Sequence, residues 1–137
     1  MRNILFHGKR ISDGEWIEGS LLEVSWNEQA YYLIFSAEFQ TIAGEMKSMS
    51  HALVYAETVA QFTGQFDRNG RRIYGGNICR FYNDDDETSD YEVVWVQELA
   101  RWGVQQINNS GTYSDWLDLF FCRRCEVVAN AAFESHT

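Results

Sequence analysis

Four arginines, Arg68, Arg71, Arg72 and Arg80, lie close together in the middle of this chain and run into Phe81-Tyr82. Guanidinium groups interleaved with aromatic rings suit a nucleic-acid backbone, the cations meeting phosphates and the rings stacking on bases. The same residues equally describe a solvated hairpin tip that balances acidic neighbours. The chain's net charge of −9 favours this second reading, because it opposes phosphate. Next comes Asn83-Asp84-Asp85-Asp86-Glu87-Thr88-Ser89-Asp90, with oxygens at alternate positions as at the start of a calcium loop. An EF-hand loop needs Gly at its sixth position and Glu at its twelfth. Counted from Asp84, those positions hold Ser89 and Trp95, so the stretch reads as an exposed acidic loop over residues 83–90, with weak cation binding the lesser alternative.

Cys122-x-x-Cys125 supplies half of a structural zinc site, which takes four protein ligands. Cys79, His7, His51 and His136 would complete it only by an accident of folding, and no second such pair exists. As a redox pair it lacks a βαβ setting. There is no Gly-x-Ser-x-Gly elbow and no phosphate-cradling glycine loop ending in Lys-Ser/Thr. The histidines sit in unrelated contexts, and no pair of carboxylates is singled out for acid–base work. The expectation is a protein without enzyme activity, cofactor or metal. Its candidate interaction surface is Arg68, Arg71, Arg72, Arg80, Phe81 and Tyr82.

The elements that carry these residues centre on Glu57 to Tyr82. Phe62, Gly64 and Phe66 alternate with Thr63 and Gln65, a period of two that places both rings on one face of a strand. Asp67-Arg68-Asn69-Gly70 is a turn, since Asn and Gly tolerate positive φ and Asp67 can accept from the backbone two residues on. Ile73-Tyr74 starts the return. Gly75-Gly76-Asn77 marks a corner, and Ile78 to Tyr82 forms a further strand.

Upstream, residues 2–8 alternate as a first strand, Ser12-Asp13-Gly14 turns, and Glu15 to Val24 forms a second strand. Asp13-Gly14-x-x-Ile17-x-Gly19 echoes Asn69-Gly70-x-x-Ile73-x-Gly75 in spacing, as two similar hairpins or as convergent turn chemistry. Ser25 to Gln29 is a polar reversal, and Ala30 to Phe35 is an apolar run of strand length. Phe39, Ile42, Met46 and Met49 fall near a helical spacing that Gly44 interrupts. Residues 37–50 therefore read as a loop or short helix before a strand from His51 to Ala56. Downstream, Tyr91 to Val96 is a strand, Gln97 to Arg101 a turn, and Trp102-Gly103-Val104 the start of a return. Asn108 to Gly111 is another turn, and Val127 to Phe133 a last strand or short helix.

Nine Phe, seven Tyr and five Trp in 137 residues, with no proline, suit a sheet better than a helix bundle. The expected fold is mainly β, a single domain over residues 1–137 made of antiparallel hairpins, with small-barrel character around residues 57–107 and little helix. Apolar faces and strand edges that so small a chain cannot cover alone point to a homo-oligomer. No apolar run approaches a membrane span, Met1-Arg2-Asn3 opens no signal peptide, and three cysteines without a secretion signal suit reduced thiols in the cytoplasm.

Val59-Ala60-Gln61-Phe62-Thr63-Gly64, Asp67 to Tyr74 and Gly76-Asn77-Ile78 together resemble the core motif of the YopX family of phage and prophage proteins, a pattern close to TVGQFTGLKDKNGKKIYEGDIV. Gly8-Lys9-Arg10 and Asp13-Gly14-Glu15-Trp16-Ile17-Glu18-Gly19 are similar to the family's opening, RGKRVDNGEWVYGDL. Glu126-Val127-Val128-Ala129-Asn130 is similar to its closing EVIGNI. Gly75-Gly76-Asn77 stands where the family has Glu-Gly-Asp, and Ala60 where it has Gly. The family has no established biochemical activity, so the resemblance implies origin and fold. The function expected is that of a non-catalytic accessory protein, made in the bacterial host cell, that binds a host or phage protein. The alternative is a nucleic-acid-binding module using the arginine-rich hairpin.

Overall fold

The structure, a computed structural model, describes residues 4–40, 45–107 and 114–130. Composition marks no boundary, yet the contacts group into two compact units, Met1–Gln61 and Phe62–Thr137. Every strand pair is antiparallel. No helix among the described residues is long and apolar enough to cross a membrane.

The first unit holds β1 (Phe6–Lys9), β2 (Trp16–Trp26), β3 (Gln29–Gln40), β4 (Glu45–Val54), a 3-10 turn (Ala56–Thr58) and the start of β5 (Ala60–Phe66). Asp13 shapes the first reversal. Its carboxylate accepts from the Glu15 amide at 3.0 Å and from the Arg10 guanidinium at 2.9 and 2.7 Å. The amide bond and then the arginine hold that carboxyl below its usual range. Between β2 and β3 the polar reversal narrows to Asn27-Glu28, with φ of 50° and 63°. Two consecutive positive φ values match the right-handed twist of the flanking strands.

Residues 37–50 correct the sequence reading. Ala37 to Gln40 extend β3, and Glu45 to Ser50 belong to β4. Residues 41–44 lie outside the described residues. A local helical spacing loses here to the ladder that runs from Tyr32↔Val54 to Gln40↔Glu45, a tertiary preference no local window contains.

The core of this unit is Ile17, Ile34 and Val54, with Phe6, Leu21, Tyr32, Ala52 and Val59 packed against it. Alternation along β2 sends Ile17 and Leu21 to that face. Gly19 permits a close approach of β2 and β3, because a Cβ there would run into the Phe35 carbonyl. Thr58 is buried, its hydroxyl accepting from the Lys9 amide at 2.9 Å and donating to the Tyr55 carbonyl at 2.6 Å.

β5 straddles the division: Ala60 and Gln61 pair with β1, whereas Phe62 and Phe66 pair with β6 (Arg72–Tyr74). The second unit continues with β7 (Asn77–Tyr82), β8 (Thr88–Val96), a 3-10 turn (Gln97–Leu99), β9 (Arg101–Gln106), β10 (Ser114–Trp116), α1 (Leu119–Cys122) and β11 (Cys125–Asn130). Its main sheet has the order β10-β9-β8-β7-β11. Thr88 to Asp90, placed in the acidic loop by the sequence reading, are the first residues of β8, so the loop is only residues 83–87. The last segment is strand through Asn130, while the expected turn at Asn108 to Gly111 lies outside the described residues.

The mainly β, antiparallel expectation holds with one short helix. The barrel character expected around residues 57–107 is not found among the described residues: one sheet, β4-β3-β2-β1-β5-β6, ends at β4 and β6, and the other ends at β10 and β11, so neither closes. The core gathers Ile73, Cys79, Val93, Val104, Leu117, Phe121, Cys122, Cys125 and Val127, with Phe81, Tyr91 and Trp102 against it.

Candidate interaction surface

The turn that presents the arginines is built on Asp67, which is 6% exposed. Its Oδ1 accepts from the amides of Asn69 and Arg71, each at 2.9 Å. Its amide donates to the Arg71 carbonyl at 2.8 Å, and Gly70, at φ 78°, donates to the Asp67 carbonyl at 3.0 Å. The other carboxylate oxygen, Oδ2, accepts from the Val127 amide at 2.9 Å, while the Arg68 amide donates to the Cys125 carbonyl at 2.9 Å. One buried side chain thus makes the hairpin tip and ties it to β11.

Around this frame the arginines are occupied close to home. Arg71 donates to the Val127 carbonyl at 3.2 Å. Arg68 lies over the Tyr82 ring, 4.8 Å from its centroid, and Arg72 lies 5.9 Å from that of Phe62. Arg80 makes a two-pronged pair with Asp90 at 3.0 and 3.4 Å, with Glu126 opposite it on β11. The Asp90 bond and charge hold Arg80 still more firmly protonated. Tyr82 donates to Glu126 at 3.4 Å.

The six residues singled out do not share one face. Strand alternation puts Arg80 and Tyr82 on one side of β7 and Phe81 on the other. There Phe81 stacks on Phe121 at 5.2 Å and meets Tyr91 edge-on at 6.3 Å, as a core residue.

The acidic loop repeats the construction of the Asp67 turn. Asn83 Oδ1 accepts from the amides of Asp85 and Glu87 at 2.9 Å. The Asn83 amide donates to the Glu87 carbonyl at 3.0 Å, and Asp86, at φ 58°, donates to the Asn83 carbonyl at 3.1 Å. Asp84 pairs with Arg124, whose guanidinium lies 4.6 Å from the Phe120 ring centroid.

Cys79, Cys122 and Cys125 are free thiols in one core, all buried. Burial pushes the Cys122 thiol up to about 12. The hydrogen bond with Cys79, and then burial, raise Cys125 well above the ordinary thiol range. Among the described residues, no three His, Cys, Asp or Glu side chains gather as a metal ion requires. The sequence shows the Cys122–Cys125 pair but has no signal for its meeting with Cys79. It also misses the Asp67–Val127 tie, a contact spanning 60 positions, and the buried Asn77, whose Oδ1 accepts from the Tyr74 amide at 2.7 Å.

Fold and surface define a mainly β protein of antiparallel hairpins. The chain belongs to the YopX protein family, whose sequence profile matches residues 5–131. Among solved structures it is similar to the crystal structure of protein EF1440 from Enterococcus faecalis. The TM-score is 0.53 and the identity 18%, over 98% of this chain and 97% of that one, a likeness of fold alone. No curated protein matches the chain.

Proposed function

We propose that this YopX-family chain is a non-catalytic accessory protein of phage or prophage origin, acting in the bacterial cytoplasm by binding protein, further copies of itself included. The observation that carries the reading is how the arginines are engaged. Arg80 is held by Asp90, Arg71 by a carbonyl, and Arg68 and Arg72 by aromatic rings. Asp84 to Glu87 follow Tyr82 closely in sequence, on a chain of net charge −9. Phosphate would have to displace these partners against that field. The second unit instead offers large apolar side chains to solvent, among them Trp95, Leu99, Trp116 and Phe120. Exposed aromatic anchors are what the centres of protein interfaces are enriched in.

The test is affinity capture on the tagged protein from a lysate of the bacterium that carries it, with and without nuclease. A defined protein retained after nuclease and at high salt is the expected result, reduced by Phe120→Ser. Capture that vanishes with nuclease would instead support the nucleic-acid reading of the hairpin.

A further inference from the structure

We infer that the outward face of the β2–β3–β4 sheet is where one copy of this chain meets another, face to face across a two-fold axis. This rests on the reading that the protein self-associates, and it says where. Ile17 and Leu21 turn towards the core of the first unit, so alternation sends Leu22, Val24 and Trp26 to the opposite face. Leu22 stands opposite Leu33, and Leu33 opposite Leu53, in one apolar row across the sheet. Val24 stands opposite half-buried Tyr31. Leu22 is 48% exposed, Val24 37%, Trp26 68% and Leu53 45%. A half-buried antiparallel sheet ordinarily alternates apolar and polar residues. This sheet is apolar on both faces, and one of them is open.

Charge identifies the occupant. From Ser20 to Trp26 on β2, Gln29 to Phe35 on β3 and His51 to Leu53 on β4, the outward positions hold no carboxylate, lysine or arginine. On a chain of net charge −9, two copies repel wherever acidic surface meets acidic surface, and this part of the face, bounded on β2 by outward Glu18, lets them touch without doing so. An anionic lipid surface would be repelled by the same net charge. A basic partner would gain nothing from a face without acids. The open apolar area is roughly 500 Å² per copy, judged from the size of the exposed rings and aliphatic groups. Two copies would therefore bury about 1,000 Å², near the lower bound for a specific interface, which points to a reversible dimer.

Sedimentation velocity from low to high micromolar concentration tests this on the full chain. The wild type is expected to dimerise. Leu22→Lys and Leu53→Lys each place a cation in the apolar row and are expected to weaken association by about tenfold or more. Both residues are exposed, so circular dichroism and thermal unfolding should match the wild type; if either lysine variant unfolds, the milder Val24→Thr and Trp26→Ser take its place. Phe120→Lys, in the second unit, is expected to leave dimerisation intact. If the wild type associates, the face variants do so equally well and Phe120→Lys alone dissociates it, this face is wrong while self-association stands. A wild type that stays monomeric at high micromolar concentration overturns both.

Discussion

Asp67 shows how much one carboxylate can organise. It accepts three backbone amides, two in its own turn and one from β11. Buried donors left unmatched cost about 1–3 kcal/mol each. Asp67→Ala should therefore destabilise the protein by about 3 kcal/mol or more, read as a lower denaturation midpoint in urea. A loss well under 1 kcal/mol would show that water replaces the carboxylate. The turn bond was legible because Asp-x-x-Gly carries its own geometry. The Val127 bond was not, because nothing near Val127 in sequence names its partner.

His7 makes the second prediction at this scale. It is 8% exposed and faces Trp16, with ring centroids 4.5 Å apart. Burial lowers its pKa from 6.5 to about 4. Between these values the unfolded chain binds a proton that the folded one does not, so stability falls as pH drops from 6.5 towards 4 and is fully present above 6.5. The contribution is of the order of 3 kcal/mol. In urea unfolding, the difference between wild type and His7→Gln should shrink as pH falls from 7 to 4.5. A difference independent of pH would contradict the assignment.

At the scale of elements, the Asp67 turn and the Asn83 loop are one design used twice. In each, a side chain at the first position collects the amides two and four residues on, and the fourth residue takes positive φ. Only the first has glycine there. Asp86 adopts φ 58° with a Cβ, a conformation that costs an L residue free energy. Asp86→Gly should leave stability unchanged or raise it by up to about 1 kcal/mol. A clear loss would mean that the Asp86 side chain supports the loop.

The helix–sheet junction of the second unit carries a chemical prediction. Cys79, Cys122 and Cys125 are shut in the core, with the Cys122 and Cys125 thiols pushed up. In the native protein an aromatic disulfide reagent should label almost none of them, and denaturant should release all three. Fast labelling under native conditions would contradict their packing as neutral side chains. Strands flagged by turn residues, such as those around Asn69-Gly70, could be read locally. Residues 37–40 and 45–50 could not, because their state is decided by neighbouring strands.

At the scale of the whole molecule, the contacts make two compact units where composition shows no seam. β5 runs through the division without a Gly- or Pro-rich linker. Charge was legible, but its placement was not. The arginines named as a candidate interaction surface are matched to Asp90, to a carbonyl and to aromatic rings, while exposed apolar groups mark both units. The central claim is that this surface works on protein and not on nucleic acid. The direct measurement is a binding titration of the purified protein against single- and double-stranded DNA and RNA, at low and at physiological salt. The account predicts no micromolar binding at physiological salt, and no change when Arg71 and Arg72 are replaced by Ala. Micromolar binding that steepens as salt is lowered, and that disappears in the Arg71→Ala, Arg72→Ala variant, would contradict it.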